Sequence, residues 1–212
     1  MSARILALGG VTAPLLFAAV VVVAGRIRPG YSHRAQFISE LGATGTPMAG
    51  LMNYVGFIPT GVMLLAFAAS TRRLAPGDVR ASAGTLLLCL FAGAVGVAGV
   101  VRCDVGCPVA TGSWPNLLHG LGSAVAFSCA IVALELFGRA LRDRAGWERW
   151  GRYSAIAARV ALLTALPLTL SLISREWTGL WQRLLLASLF IWFFATGWRL
   201  FRRSRSGPGR DI

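Results

Sequence analysis

Charged residues are scarce in this sequence, and one of the four charged residue types is missing. Only 14% of the 212 residues are Asp, Glu, Lys or Arg, whereas an average soluble domain carries about 25%. Lysine is absent, so all 21 basic residues are arginine. No polar stretch between the apolar runs is long enough to hold a separate soluble domain. The composition therefore excludes an ordinary soluble protein.

The sequence also lacks the short motifs that identify common enzyme classes. It contains no HExxH zinc motif, no GxSxG nucleophile motif and no phosphate-binding glycine loop. The net charge of +13 could suit nucleic acid, but no interleaved aromatic platform or nucleic-acid motif accompanies it. Nucleic-acid binding is therefore not expected, and any catalytic role must rest on individual polar side chains.

What the sequence does contain is a series of apolar runs, each long enough for a helix that crosses a bilayer, which takes about 20 residues. There are six, at about residues 5–25, 50–70, 82–101, 115–137, 153–173 and 182–200. The first exceeds the apolar core of a secretory signal and precedes no small-x-small cleavage site, so we expect a permanent helix. The predicted fold is all-α: a single-domain integral membrane bundle of six helices over residues 1–212.

The arginines are unevenly distributed between the two ends of this predicted bundle. Fourteen of the 21 fall in the two tails and in the loops near residues 71–80 and 138–152, and six fall on the opposite side. The richer side is expected to face the cytoplasm. We therefore predict a plasma-membrane protein with cytoplasmic termini, whose basic segments contact anionic lipid head groups.

Many of the candidate functional side chains fall on the other side, which we expect to be the outer one. The first outer loop, residues 26–49, contains SHRAQFISELG, whose periodicity predicts a short helix lying at the membrane interface. His33, Ser39 and Glu40 share one face of such a helix, at about 100° per residue. Gly42 is a plausible end for it.

Cys103 and Cys107 lie in the second outer loop. An oxidising compartment favours a disulfide between them. Zinc is the alternative, because thiolate, carboxylate and imidazole groups all bind it, although the spacing differs from the usual two-residue gap. Asp104, between the cysteines, either caps the loop or the next helix or is solvated, or it is held by the disulfide above the mouth of the bundle.

His119 is predicted about one turn inside the fourth span. Asn116 lies on the same helix face, and Asn53 enters the second span to a similar depth. An ionisable group inside a membrane is costly, which favours a functional role. The alternative is a neutral histidine that joins two helices by a hydrogen bond to Asn53 or Asn116.

Several of these side chains would form a site if the fold brought them together. His33, Glu40, Asp104 and His119 would make a zinc centre or an acid–base group. Ser39, near a histidine and Asp104, could instead act as a nucleophile.

At the opposite, cytoplasmic end, Glu135 and Arg159 reach similar depths in adjacent predicted spans. We expect a structural ion pair between them. The alternative is that Arg159 extends to the lipid head groups.

Four segments, YSHRAQFISELGA, NYVGFIPTG, RCDVGCP and NLLHG, resemble the recurring signature of bacterial and archaeal membrane proteins grouped as domain of unknown function 998. The resemblance runs through the fourth span. It implies a multi-span bundle and no established activity. It marks Ser39, Glu40, Asn53, Cys103, Asp104, Cys107 and His119.

Together these features predict an outward-facing polar pocket, capped by the loop helix and the cysteine loop. Our main hypothesis is an enzyme or binding protein that acts on a lipid at the outer leaflet. His119 and Asp104 would do acid–base or metal-assisted chemistry with help from Glu40, while the ligand would be oriented by Asn53, Asn116 and His33. A small transporter and a non-catalytic scaffold remain the alternatives, and the oligomeric state stays open.

Overall fold

The computed structural model describes residues 3–203, and that part of the chain is entirely helical apart from its loops. The long elements are α1 (Ala3–Ile27), α2 (Ile58–Thr71), α3 (Val79–Ala98), α4 (Trp114–Arg142), α5 (Glu148–Ser171) and α6 (Thr178–Arg203). A π-helical segment, Leu51–Phe57, leads directly into α2. Within residues 3–203, six helical segments are long and apolar enough to cross a membrane. The predicted six-helix fold is confirmed, and it indicates a multi-pass membrane protein.

The six helices pack against one another in chain order, and α6 returns to α1 to close the ring. Glycine permits the closest approaches. A Cβ atom on Gly61 of α2 would lie 2.5 Å from the backbone nitrogen of Gly96 on α3. One on Gly197 of α6 would lie 2.7 Å from the carbonyl oxygen of Ala7 on α1. Small residues thus let the helix backbones meet, as is usual where apolar surroundings provide no hydrophobic drive for association.

The alternating directions of the helices give the bundle two chemically different ends. The polar-loop end consists of the connections at residues 28–50, 99–113 and 172–177. The arginine-rich end consists of residues 72–78 and 143–147, with the start of α1 and the end of α6. Two arginines of the predicted basic tail, Arg205 and Arg210, lie outside the described residues.

Aromatic side chains fill the bundle between α4, α5 and α6 in its arginine-rich half. Trp192 is fully buried, and its ring stacks on Phe137 with the centroids 5.6 Å apart. Its indole N–H donates to the hydroxyl of Ser154 at 2.8 Å. Leu134 and Leu141 of α4 are also fully buried. This half is therefore solidly packed.

The second span is not the uniform α-helix that its hydropathy suggests. The N–H of Ile58 donates to the carbonyl of Asn53, five residues back. Pro59 has no N–H, so it cannot supply the usual bond to the carbonyl of Val55. The wider π turn before it is a local change of register of the kind often found at functional sites.

The interfacial helix predicted in the first loop is reduced to a short 3₁₀ helix, Ile38–Gly42. Side chains compete for the backbone donors before it: the N–H of Ser32 donates to Gln36 Oε1 at 2.8 Å, and the N–H of Phe37 donates to Glu40 Oε1 at 3.0 Å. Such local bonds favour turns over a regular helix.

The predicted ion pair between Glu135 and Arg159 does not form between these described residues. Glu135 instead accepts a hydrogen bond from Arg139 Nε at 2.9 Å, one turn along α4. Such a pair on one helix needs no approach of a second helix. Arg159 is exposed on α5.

Candidate functional site

A buried carboxylate anchors the first polar loop. Only 2% of Glu40 is exposed. Its Oε1 accepts hydrogen bonds from Arg175 Nη2 at 2.8 Å and from the N–H of Phe37 at 3.0 Å, while Oε2 accepts one from Gln36 Nε2 at 2.8 Å. The carboxylate thus anchors the loop through three structural hydrogen bonds, and the catalytic role of Glu40 stays a prediction.

Arg175, which the sequence analysis did not single out, joins all three polar loops. Besides Glu40, it donates to the carbonyl oxygens of Gly106 at 2.9 Å and Cys107 at 3.1 Å. Its guanidinium lies 4.6 Å from the ring centroid of Phe37. In the sequence, Arg175 stands out only as the lone basic residue of the last polar loop. Its partner Glu40 is 135 positions away, so the sequence alone does not indicate the contact.

The predicted disulfide between Cys103 and Cys107 is present, and both cysteines are buried. It packs on the first loop, where Ser39 Oγ lies 3.5 Å from Cys107 Sγ. The N–H of Thr44 donates to the carbonyl of Cys103 at 2.9 Å. The two loops together form the cap of the bundle, which we define as residues 36–44 and 103–112.

Asp104 holds the start of α4. Its two oxygens accept hydrogen bonds from the N–H and the hydroxyl of Ser113, each at 2.6 Å. These bonds stabilise the carboxylate and lower the pKa of Asp104 from its ordinary value. Ser113 in turn caps α4 by accepting from the N–H of Asn116. Of the two interpretations of Asp104, the structure favours the cap of loop and helix.

The two asparagines predicted to orient a ligand are bonded to backbone instead. Asn116 Nδ2 donates to the carbonyls of Pro108 and Thr111 at 2.8 and 2.6 Å. Asn53 is fully buried, and its Nδ2 donates to the carbonyl of Gly42 at 2.9 Å. A Cβ atom on Gly42 would overlap Asn53 Oδ1, so glycine is required where the loop meets the π-helical segment.

His33 lies apart from these residues, on the side of the polar loops that faces α1 and α6. Its ring meets that of Tyr31 edge-on, with centroids 5.1 Å apart, and its carbonyl accepts from Arg183 Nη1 at 2.8 Å. Partial burial, and then the positive charges of Arg183 and Arg26, lower the pKa of His33. It has no hydrogen bond to another predicted site residue within residues 3–203.

His119 has one committed nitrogen and one free nitrogen. Its Nδ1 lies 2.7 Å from the carbonyl oxygen of Val101. A carbonyl can only accept, so Nδ1 carries the proton and Nε2 is left as an acceptor. Nε2 has no hydrogen-bond partner in the described part of the chain and keeps accessible surface. His119 thus fastens α4 to the chain just beyond α3, through Val101 and not through the predicted Asn53 or Asn116.

A cavity of about 680 Å³ lies beneath the cap, between α4, α5 and α6. His119 lines this cavity, together with Ser39, Ser123 and Gln182. The same four residues also line a smaller cavity of about 60 Å³, which extends toward Phe17 of α1. They therefore form a polar group between two largely apolar spaces.

The large cavity is a wedge between α4 and α5. The two helices meet near the arginine-rich end, where a Cβ atom on Gly151 would lie 2.5 Å from the backbone nitrogen of Arg142. Along α4 the cavity lining runs from Asn116 to Ile131, about 22 Å at the rise of an α-helix. Leu121 in this lining is 65% exposed, so the wedge opens onto the lateral surface of the bundle.

The four residues predicted as a metal or acid–base centre make no hydrogen bond to one another within residues 3–203. Glu40, Asp104, His33 and His119 each bond to separate partners. Between residues 3 and 203 there is no group of three or more His, Cys, Asp or Glu side chains arranged to hold a metal ion. Ser39 and His119 share the cavity but are not hydrogen-bonded to each other.

Fold and site together define a multi-pass α-helical membrane protein with a cross-linked polar cap over a lateral cavity. The chain belongs to the family described as "Protein of unknown function (DUF998)", whose model matches residues 11–199. This confirms the resemblance noted in the sequence and extends it through the fifth and sixth helices. Neither a curated protein nor a solved structure matches the chain significantly.

Proposed function

We propose that this protein binds a lipid or similar amphiphile in the cavity between α4 and α5. The observation that carries the proposal is the cavity itself: about 680 Å³, within the range of small-molecule sites, and open at the lateral surface. A molecule could enter it from the surrounding bilayer without passing through the cap.

The lining of the cavity matches the two parts of an amphiphile. Apolar side chains such as Leu117, Leu121 and Ile131 extend down α4, and Leu168 and Leu185 face them from α5 and α6. Polar side chains are concentrated under the cap. An acyl chain along α4 and a head group near the cap would each meet surroundings of matching polarity.

Simple binding is better supported than the other predicted functions. Hydrolysis would need a base hydrogen-bonded to Ser39; His119 shares the cavity with Ser39 but makes no hydrogen bond to it, and Glu40 and Asp104 are held in structural hydrogen bonds. Transport would need a path to the arginine-rich end, and the stacked Phe137 and Trp192 fill that half of the bundle. A scaffold would need no cavity.

We also propose a plasma-membrane location with the arginine-rich end in the cytoplasm. The distribution of arginines supports this orientation, and a disulfide at the opposite end suits an oxidising compartment. Arg199 lies over Trp147 and Trp150, 4.6 and 4.8 Å from the ring centroids. It has no acidic partner within residues 3–203, which leaves its charge available to anionic lipid head groups.

Filling the cavity tests the binding proposal. Gly120 lines it, and a Cβ atom there would meet no atom within 4 Å, so Gly120→Phe places a ring in the cavity without a backbone clash. Gly122 is equally open but is not part of the lining, so Gly122→Phe is the matched control. Lipid retained after delipidating detergent exchange is measured by mass spectrometry.

We expect the native protein and Gly122→Phe to retain a stoichiometric lipid, and Gly120→Phe to lose it. Equal retention by all three proteins would contradict binding in this cavity. Accessibility of tagged termini to a membrane-impermeant protease in intact cells tests the proposed orientation separately.

A further inference from the structure

The large cavity has no charged lining. Its polar residues are Ser39, Asn116, His119, Ser123, Ser128, Thr169 and Gln182, and no Asp, Glu, Lys or Arg accompanies them among the described residues. An ionised group in such surroundings would be costly, because a buried charge requires a paired or hydrogen-bonded counter-charge.

No arginine among the described residues lies in the lining to supply that counter-charge, and the arginines at this end of the bundle donate to groups of the protein. Arg175 binds Glu40 and two carbonyls of the cap. Arg183 donates to three carbonyl oxygens and to the hydroxyl of Tyr31. Arg102 donates to the hydroxyl of Tyr54. A phosphate in the cavity would therefore meet no arginine among the described lining residues.

Two side-chain nitrogen atoms of the lining have no hydrogen-bond partner within residues 3–203, and they are of opposite kind. His119 Nε2 is a free acceptor, as described above. Gln182 Oε1 accepts from the N–H of Ile38 at 2.8 Å, which orients the amide so that its Nε2 is a free donor with accessible surface. Asn116, by contrast, uses both its amide hydrogens and its oxygen within the cap.

A free acceptor and a free donor that share one cavity suit a hydroxyl group, which donates one hydrogen bond and accepts others. We propose that the ligand is an uncharged lipid with a free hydroxyl, of the diacylglycerol or long-chain alcohol class, and that its hydroxyl donates to His119 Nε2 and accepts from Gln182 Nε2. This inference rests on the proposed lipid-binding function and adds the chemical class of the head group.

The test compares lipids that differ in the head group alone. Native mass spectrometry of the full chain would be titrated with dioleoylglycerol, its acetylated derivative, which lacks the hydroxyl, and dioleoyl phosphatidic acid. We expect dioleoylglycerol to bind about tenfold more tightly than its acetylated derivative, since one hydrogen bond lost with a buried group left unpaired has this effect. It should also bind more tightly than phosphatidic acid, whose charge would find no counter-charge among the described lining residues.

Variants at the two histidines assign the hydroxyl contact. His119→Asn keeps a donor at the position of Nδ1 for the carbonyl of Val101 but removes Nε2, so the end of α3 stays attached. We expect it to melt near the native temperature and to bind dioleoylglycerol and its acetylated derivative equally. His33→Asn, at the other histidine, should keep the native preference.

Phosphatidic acid binding as tightly as dioleoylglycerol, or an unchanged hydroxyl preference in His119→Asn, would overturn the assignment while leaving lipid binding intact. If none of the three lipids bound, and Gly120→Phe behaved as the native protein did, the proposed function itself would fail, and this inference with it.

Discussion

Removing Arg175 should destabilise the protein by about 3 kcal/mol. Breaking a fully buried ion pair costs about 3–5 kcal/mol, whereas an exposed pair contributes about 0–1 kcal/mol. Glu40 belongs to the first class, with 2% of its side chain exposed, but 31% of the Arg175 side chain is exposed. Gln36 and Phe37 would still donate to the carboxylate, so we expect the lower end of the buried range.

The assay is a double-mutant cycle on the purified protein in mild detergent, with the free energy of unfolding measured for each member. Its members are Arg175→Met, Glu40→Gln and the double variant. Since the two side chains are in direct contact, the double variant should cost about 1–3 kcal/mol less than the sum of the single variants. Arg102→Met is the control, because that arginine bonds to Tyr54 at an exposed position, and its loss should cost less than about 1 kcal/mol.

Two results would refute this reasoning. One is strict additivity in the cycle, which would mean that Arg175 and Glu40 do not stabilise each other. The other is an Arg175→Met variant no less stable than Arg102→Met, which would mean that the three polar loops hold together without the arginine.

Three further changes test the cap and its pH dependence. Because the folded-state pKa of Asp104 is lowered, its contribution to the free energy of unfolding is present above the unfolded pKa of about 3.9 and is lost as the pH falls through the folded pKa. The melting temperature of Asp104→Asn should therefore depend less on pH in the acid range than that of the native protein. An unchanged acid dependence would contradict the Ser113 contacts. The pKa of His33 is also lowered, so the contribution of His33 to the free energy of unfolding should decline as the pH falls below about 6.5. The melting profile of His33→Gln should lack this decline. Replacing Cys103 and Cys107 by serine should cost about 2 kcal/mol by the loop-entropy estimate, and reductant should lower the melting temperature of the native protein alone.

The membrane spans could be predicted because long apolar runs have few alternatives in a folded chain. Their ends could not be placed as well, because helices continue past the apolar stretch: α4 ends at Arg142, five residues beyond the predicted Phe137. The π-helical segment before Pro59 was missed, since hydropathy does not report hydrogen-bond register.

The disulfide was predictable because both cysteines are in one short loop, and the capping role of Asp104 was one of two stated alternatives for the same local reason. The burial of Glu40 depends on Arg175, 135 positions away, and nothing local to either residue indicates the contact. Apolar residues on α4 look alike in sequence whether they face lipid, a neighbouring helix or a cavity. The wedge was therefore beyond prediction, although a polar pocket at this end was expected.

A structure of the protein in lipid nanodiscs, determined at a resolution that shows bound lipid, tests the central claim most directly. The account predicts elongated density between α4 and α5, with its polar end beside His119 Nε2 and Gln182 Nε2. Side chains that close the wedge, or ordered lipid confined to the outer surface of the helices, would contradict it.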